Sequence, residues 1–132
     1  MVYFDIIYIC SEILTITVPI YRKTKKKRII LASDHAGYGL KKEIKNYLIR
    51  KRNKVLDLGT NNTNSVDYPD FAHLLAKQMK KNKKQIGILI CGSGVGMSIT
   101  ANKYKNIRAA LCHNVKTAKL SREHNNANVI AI

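Results

Sequence analysis

Side chains that could do chemistry stand in this sequence where apolar runs end. Cys91 closes the run "IGILIC", and the glycine-rich loop "GSGVG" (92–96) follows it directly. Asp34 and His35 follow the apolar run "RIILAS" in the same way. A thiol, a carboxylate and an imidazole can act as nucleophile, general base or general acid, and a glycine loop can hold an anion. The residue types therefore indicate a site for a small anionic ligand or for proton transfer.

The loop after Cys91 fails both common nucleotide-binding patterns. A dinucleotide fingerprint needs glycine or alanine where Met97 stands, and a P-loop needs Gly-Lys before Ser or Thr. The remaining interpretation is an anion site made of the backbone N–H groups around Gly92, Gly94 and Gly96. These groups stand at a predicted helix start and could hold a phosphate or a developing oxyanion. The same positive field favours the thiolate of Cys91. A buried cysteine before an ordinary strand-to-helix turn stays open as the plainer interpretation.

A zinc site is another chemistry that these residue types allow. Cysteine and histidine are common zinc ligands, but no pair here has HxxxH or CxxC spacing. We therefore expect no metal. The residues weighed as ligands are Asp34, His35, Cys91, Cys112, His113 and His124.

Short apolar runs alternating with amphipathic segments must position these residues. Runs without polar alternation, each followed by a segment of helical spacing, indicate parallel strands with both faces covered. The pattern therefore predicts an α/β fold with a five-stranded parallel sheet. The predicted strands are 28–33, 54–59, 86–91, 107–112 and 128–132. They are expected to end near Ser33, Leu58, Cys91, Cys112 and Ile132. The predicted helices are 40–51, 70–81, about ten residues after the glycine loop, and 114–125.

Function in doubly wound sheets concentrates at the carboxyl ends of the strands. We expect the reactive side chains to cluster on that one edge. His124 and Asn125 are counted with this cluster, although they end a predicted helix ahead of the fifth strand. His73, one turn into its helix, is interpreted as structural.

Composition places the chain as one basic domain. The 132 residues carry 24 Lys+Arg against 8 Asp+Glu, a formal net charge of +16. The cations stand in runs at 25–28, 50–54 and 80–84. We interpret them as solvated helix ends, where Lys and Arg complement the helix dipole, rather than as a specific nucleic-acid site.

Three cysteines without CxxC spacing argue against a disulfide framework, so we expect a reducing, cytoplasmic location. The first 21 residues are apolar, but Asp5, Glu12 and Pro19 interrupt them. An acid near the centre of a membrane span costs about 2.5–3.5 kcal/mol. We expect residues 1–27 to be an appended extension, with a membrane anchor flanked by "RKTKKKR" as the alternative.

Five motifs carry a specific resemblance. In chain order they are "SDHAGYGLK", "DYPDFA", "CGSGVGMSITANK", "IRAALC" and "AKLSREHNNANVIAI". From about Arg28 to Ile132 the chain resembles the type B ribose-5-phosphate isomerases, whose relatives isomerise galactose 6-phosphate and allose 6-phosphate. The resemblance implies a cofactor-free αβα sandwich with strand order 2-1-3-5-4. It also implies a homodimer or a dimer of dimers acting on a sugar phosphate of the pentose phosphate pathway.

The resemblance implies a role for each candidate residue. Cys91 matches the family's cysteine base, which shuttles a proton through a cis-enediolate, and His124 matches the acid that also opens the sugar ring. The loop amides would form an oxyanion hole for the enediolate. The substrate-binding positions so implied are Asp34, His35, Tyr68, Gly92, Ser93, Gly94, Val95, Gly96 and Asn125.

The sequence departs from the family pattern at two places. Asn126 replaces an aspartate common in the motif. The sequence stops at Ile132, where family members continue through a glycine-arginine loop and a C-terminal helix whose arginines help bind phosphate. We therefore expect the chain as written to aggregate readily and to show weak or no isomerase activity, and the missing tail to restore both.

Two other functions stay open. A six-carbon sugar phosphate is an alternative substrate, because the pocket size depends on loops that the sequence does not place. The second is a non-catalytic basic binding module on the same scaffold, whose binding to DNA would fall steeply with added salt.

Overall fold

The structure, a computed structural model, describes residues 28–81 and 84–132. The expectations for residues 1–27, an extension or a membrane anchor, lie outside this part. Along the described chain the elements are β1 (Arg28–Ser33), α1 (Tyr38–Arg50), β2 (Lys54–Asp57), α2 (Tyr68–Lys80), β3 (Ile86–Ile90), α3 (Val95–Ala101), β4 (Ala109–Leu111), α4 (Val115–Asn125) and β5 (Val129–Ala131). No helix within 28–81 and 84–132 combines the length and apolarity needed to cross a membrane.

The strands form one parallel sheet in the order β2-β1-β3-β5-β4. This confirms both the predicted α/β class and the strand order that the resemblance implied. Helices α1 and α4 cover one face, and α2 and α3 cover the other. Because every residue of β3 is apolar or glycine and lies buried between these layers, its run shows no polar alternation. The sheet therefore fixes the strand ends on a rigid core.

Side-chain hydrogen bonds explain why two elements are shorter than predicted. Helix α3 spans seven residues rather than about ten, because Asn102 leaves it to exchange two 2.8 Å hydrogen bonds with the backbone of Ala109. Strand β4 begins only at Ala109, since the Arg108 N–H donates to the Asn128 side chain (2.8 Å). Amide side chains commonly compete with backbone pairing in this way.

Gly37, which precedes α1, is pressed against β3. A Cβ there would lie 2.5 Å from the carbonyl oxygen of Ile90. We expect Gly37→Ala to lower the free energy of unfolding by about 1–3 kcal/mol, as overpacking does, measured by urea denaturation. Gly39→Ala is the matched control, because a Cβ there meets nothing within 4 Å. The control should be neutral or stabilising by about 0.5–1 kcal/mol, and equal losses in both variants would contradict the close approach.

Candidate active site

Cys91 lies at the carboxyl end of β3, in the centre of the sheet. Its N–H donates to the carbonyl of Ile132 (3.1 Å), which holds the residue in line with the strand. Its Sγ accepts a hydrogen bond from the Gly94 N–H at 3.0 Å. The side chain is half-buried. A donor aimed at the sulfur stabilises the thiolate more than the thiol, and the thiolate is the reactive form.

Asp34 lies beside Cys91 at the end of the neighbouring strand. Ser33 pairs with Ile90 in the sheet register, and the Asp34 N–H donates to the Ile90 carbonyl (3.2 Å). One carboxylate oxygen, Oδ1, accepts the N–H of Gly37 at 2.9 Å. The carboxylate is thereby fixed at the carboxyl end of β1, the strand beside β3.

His35 is oriented by the loop between β2 and α2. Its Nδ1 accepts a hydrogen bond from the Val66 N–H at 3.2 Å. An amide can donate only to a ring nitrogen that carries no proton, so the proton of the neutral ring sits on Nε2. His35 therefore offers an N–H donor to a phosphate or sugar oxygen.

Tyr68 begins α2 and lies over the glycine loop. A Cβ added to Gly96 would come within 2.6 Å of the Tyr68 ring and 2.9 Å of its hydroxyl oxygen. Glycine is needed at position 96 because any side chain would displace this ring. Tyr68 itself is 41% exposed.

The remaining candidate residues belong to the glycine loop itself. Gly94 has φ +73°, in the left-handed region that favours glycine, and a Cβ there would strike Leu111 at 2.7 Å. Ser93 and Val95 are exposed at the surface of the loop. The structure thus brings one group of predicted site residues together at the carboxyl edge. They are Asp34, His35, Tyr68, Cys91, Gly92, Ser93, Gly94, Val95 and Gly96.

His124 and Asn125 do not lie at this edge, and the prediction of a single cluster within one chain is wrong for them. They are the last residues of α4, which starts after β4 and returns the chain to the beginning of β5. The Asn125 carbonyl accepts a hydrogen bond from Nε of Arg108, just before β4, at the amino edge. At 3.3 Å per residue, roughly 15 Å of sheet separates this edge from Cys91. One chain cannot bring the predicted base and acid together.

The other reactive side chains have structural surroundings. Cys112 is fully buried, and burial raises the pKa of its thiol to about 11, an effect that a hydrogen bond from Ser121 partly offsets. His73 Nδ1 lies 2.8 Å from the Tyr104 hydroxyl, with the rings edge to face, in agreement with its structural interpretation. His113 is exposed after β4. Within the described parts of the chain, no three His, Cys, Asp or Glu side chains are grouped to hold a metal ion.

Sequence reasoning missed an ion pair that holds the loop after β2. Lys41 in α1 is 1% exposed and donates to Asp57 Oδ1 at 2.5 Å. A signal was present, because Lys41 stands three residues before Ile44 and seven before Leu48, the buried positions of the same helix. A lysine on an apolar helix face indicates a buried partner.

These features define a class: a doubly wound α/β protein with a glycine-rich loop and a thiol at the carboxyl edge of its sheet. The model of the Ribose/Galactose Isomerase family matches residues 29–132. The chain belongs to that family.

Relatives and solved structures agree with this assignment. A putative sugar phosphate isomerase of Rickettsia conorii is 50% identical over 82% of this chain and 75% of its own length. The ribose 5-phosphate isomerase of Thermotoga maritima superposes with a TM-score of 0.77 at 50% identity, covering 79% of this chain and 72% of that one. The Mycoplasma genitalium ribose-5-phosphate isomerase B, solved with bound ribulose-5-phosphate, gives a TM-score of 0.76 at 52% identity, over 79% and 70%.

Proposed function

We propose that this chain interconverts ribose 5-phosphate and ribulose 5-phosphate, with Cys91 as the base. The observation that carries the proposal is the Gly94 N–H held 3.0 Å from Sγ at the carboxyl edge of β3. The Asp34 carboxylate is fixed at the same edge, at the end of the neighbouring strand. A thiolate in this position can take a proton from a carbon next to a carbonyl without a metal or a cofactor. Membership of the isomerase family supports the same reaction.

The proposed reaction moves one proton between adjacent carbons. The Cys91 thiolate removes the proton from C2 of the open-chain aldose, and the electrons of that bond shift to form a cis-enediolate with negative charge on O1. The thiol then returns the proton to C1, while O1 is protonated and O2 gives up its proton to become the ketone oxygen. Loop amides of Gly92–Gly96 would stabilise the charged oxygens.

The neighbouring side chains would orient the substrate. His35 would donate through Nε2 and Asp34 would accept a sugar hydroxyl. Tyr68 would close one wall of the cleft, with Ser93 and Val95 on the loop surface opposite. These residues belong to the segment after β1, the start of α2 and the loop after β3, and all three segments are anchored to the sheet. This anchoring preorganises the site before substrate arrives.

His124 would act as the acid and ring-opening group from a second copy of the chain. The reason is geometric, since His124 and Asn125 lie at the amino edge of their own sheet and Cys91 lies at the carboxyl edge. In a two-fold dimer, the carboxyl edge of each chain's sheet can lie against the amino edge of the partner's sheet. Such a dimer has two equivalent sites. We therefore propose a homodimer, or a dimer of dimers, as the active form. We also propose a cytoplasmic location, because Cys91 and Cys112 are free and the base must stay reduced.

An isomerisation assay tests the proposed function. Ribose 5-phosphate, allose 6-phosphate and galactose 6-phosphate are supplied separately, and the ketose product is measured. The assay uses the 132-residue chain and, in parallel, a form carrying the family's C-terminal segment after Ile132. We expect turnover with ribose 5-phosphate at the highest kcat/KM. Preference for a six-carbon phosphate would establish the alternative substrate, and no turnover in either form would overturn the proposal.

A further inference from the structure

Helix α1 places a charged group inside the protein, away from the thiol. Lys41 shares the buried face of this helix with Ile44 and Leu48 and is itself 1% exposed. Burying an ammonium group is costly unless it is paired and hydrogen-bonded. The role of this lysine therefore depends on what its Nζ contacts.

Nζ of Lys41 joins the end of β2 to the loop that follows. It donates to Asp57 Oδ1 at 2.5 Å and to the Thr60 carbonyl at 2.7 Å. The same Oδ1 accepts the Gly59 N–H at 3.0 Å, and Oδ2 accepts from Lys45 Nζ at 3.0 Å. Lys41 thus contacts both the carboxylate and the loop backbone, whereas Lys45 contacts only the carboxylate.

The pair is ionic at neutral pH. Burial by itself would raise the pKa of Asp57. Hydrogen bonds from Lys41, the Gly59 amide and Lys45 outweigh burial and hold the pKa of Asp57 below its usual value. The anchor between α1 and the loop is therefore a charge-assisted one, stronger than a neutral hydrogen bond.

The loop 58–67 is attached at its two ends and open between them. At the start, Ser33 N–H donates to the Gly59 carbonyl (2.7 Å) and Thr60 N–H donates to the Ser33 carbonyl (2.8 Å). At the far end the Val66 N–H donates to His35 Nδ1. Residues 61–65 between these points are exposed. A segment of only five residues therefore separates the Thr60 attachment from the Val66 amide.

We propose that Lys41 is a positioning residue for substrate binding, acting through the loop on His35. By fixing Asp57 and Thr60, it keeps the Val66 N–H on Nδ1 and so keeps the ring proton on Nε2. Loss of Lys41 leaves the loop start held only by its two backbone bonds to Ser33 and loosens it, and His35 then samples both tautomers and other orientations. This inference rests on the proposed function insofar as His35 contacts substrate.

The test compares Lys41→Met with Lys45→Met, two replacements one turn apart on the same helix. Both remove one cation from Asp57, but only the first removes the bond to Thr60. We expect Lys41→Met to raise KM for ribose 5-phosphate by about tenfold with kcat within about twofold, the pattern of lost substrate positioning. Lys45→Met should leave both constants near those of the unsubstituted enzyme.

A second measurement does not need activity. Nitrogen chemical shifts of the His35 ring distinguish the two tautomers, and we expect a single Nε2–H form in the unsubstituted chain and in Lys45→Met. Lys41→Met should give a tautomer mixture and faster hydrogen exchange at the Val66 amide. If neither the 132-residue chain nor the form with the added C-terminal segment turns over any sugar phosphate, the proposed function fails. The spectroscopic result still decides the role of Lys41 in that case.

The double variant Lys41→Met/Asp57→Asn guards against simple loss of folding. In Lys41→Met, the Asp57 carboxylate has lost one of its two lysine partners, which lowers stability. Replacing Asp57 by asparagine removes that charge, so stability should recover, while the bond from Lys41 to Thr60 stays absent. We expect the raised KM and the tautomer mixture to persist. If recovered stability also restores KM and the single tautomer, or if Lys41→Met matches Lys45→Met in both readouts, the proposal is overturned.

Discussion

Cys91→Ala is expected to lower kcat/KM for ribose 5-phosphate by about 10²–10⁴-fold, the usual effect of removing a positioned acid or base. The side chain follows β3 directly, and its Sγ accepts the Gly94 N–H at 3.0 Å. Alanine keeps the backbone bond to Ile132, because that bond involves only the Cys91 N–H. The fold should therefore survive, and thermal unfolding should show it. The kinetic loss should appear mainly in kcat, because the proposed base acts in the proton-transfer step rather than in substrate binding.

Cys112→Ala is the matched control for the loss of a thiol. Cys112 also follows a strand, but it is fully buried, and burial raises the pKa of its thiol to about 11. At neutral pH it is a protonated thiol packed in the core, and its removal should change stability more than kcat. Equal kinetic losses from the two cysteine substitutions would contradict the assignment of Cys91 as the base. They would favour a packing role for both residues.

The fold was predictable because its determinants are local and repeated. The buried strand β3 contains no polar residue, and each of the strands β1 to β4 is followed by a helix with one apolar face. The strand order was implied by the motifs rather than by the periodicity. Exact element ends were not predictable, because they depend on side-chain bonds such as that of Asn102 to Ala109, which join residues seven apart in sequence.

The candidate site was predictable at one edge only. Cys91, Asp34 and His35 follow strands directly, so the parallel sheet alone brings them together. His124 follows a helix, and a helix after a parallel strand carries the chain back to the opposite edge. Counting His124 with the others ignored this reversal. Lys41 was missed for a different reason, because its partners Asp57 and Thr60 are distant in sequence and show no pattern of their own.

Mixing the variants Cys91→Ala and His124→Asn in one dimer is expected to restore activity. This follows because Cys91 and His124 lie at opposite edges of one chain's sheet and are proposed to meet only across a dimer. His124→Asn alone should lose about 10²–10⁴-fold in kcat/KM, because ring opening and proton return lack their acid. Cys91→Ala lacks the proposed base. If each site combines Cys91 of one chain with the partner's His124, a dimer of the two variants holds one site with both changes and one site with neither.

Co-expression of the two variants in equal amounts predicts how much isomerase activity should return. Half of the dimers are mixed, and each mixed dimer has one intact site of two, so activity should recover to about a quarter of the unsubstituted enzyme. Two different affinity tags establish that mixed dimers form. The control pairs Cys91→Ala with the double variant Cys91→Ala/His124→Asn, in which no intact site can arise. Mixed dimers that form but stay inactive would mean that His124 does not serve the partner's thiol. The acid would then have to be sought among the groups at the carboxyl edge of the same chain. His35, which directly follows Asp34, is the imidazole at that edge to test next.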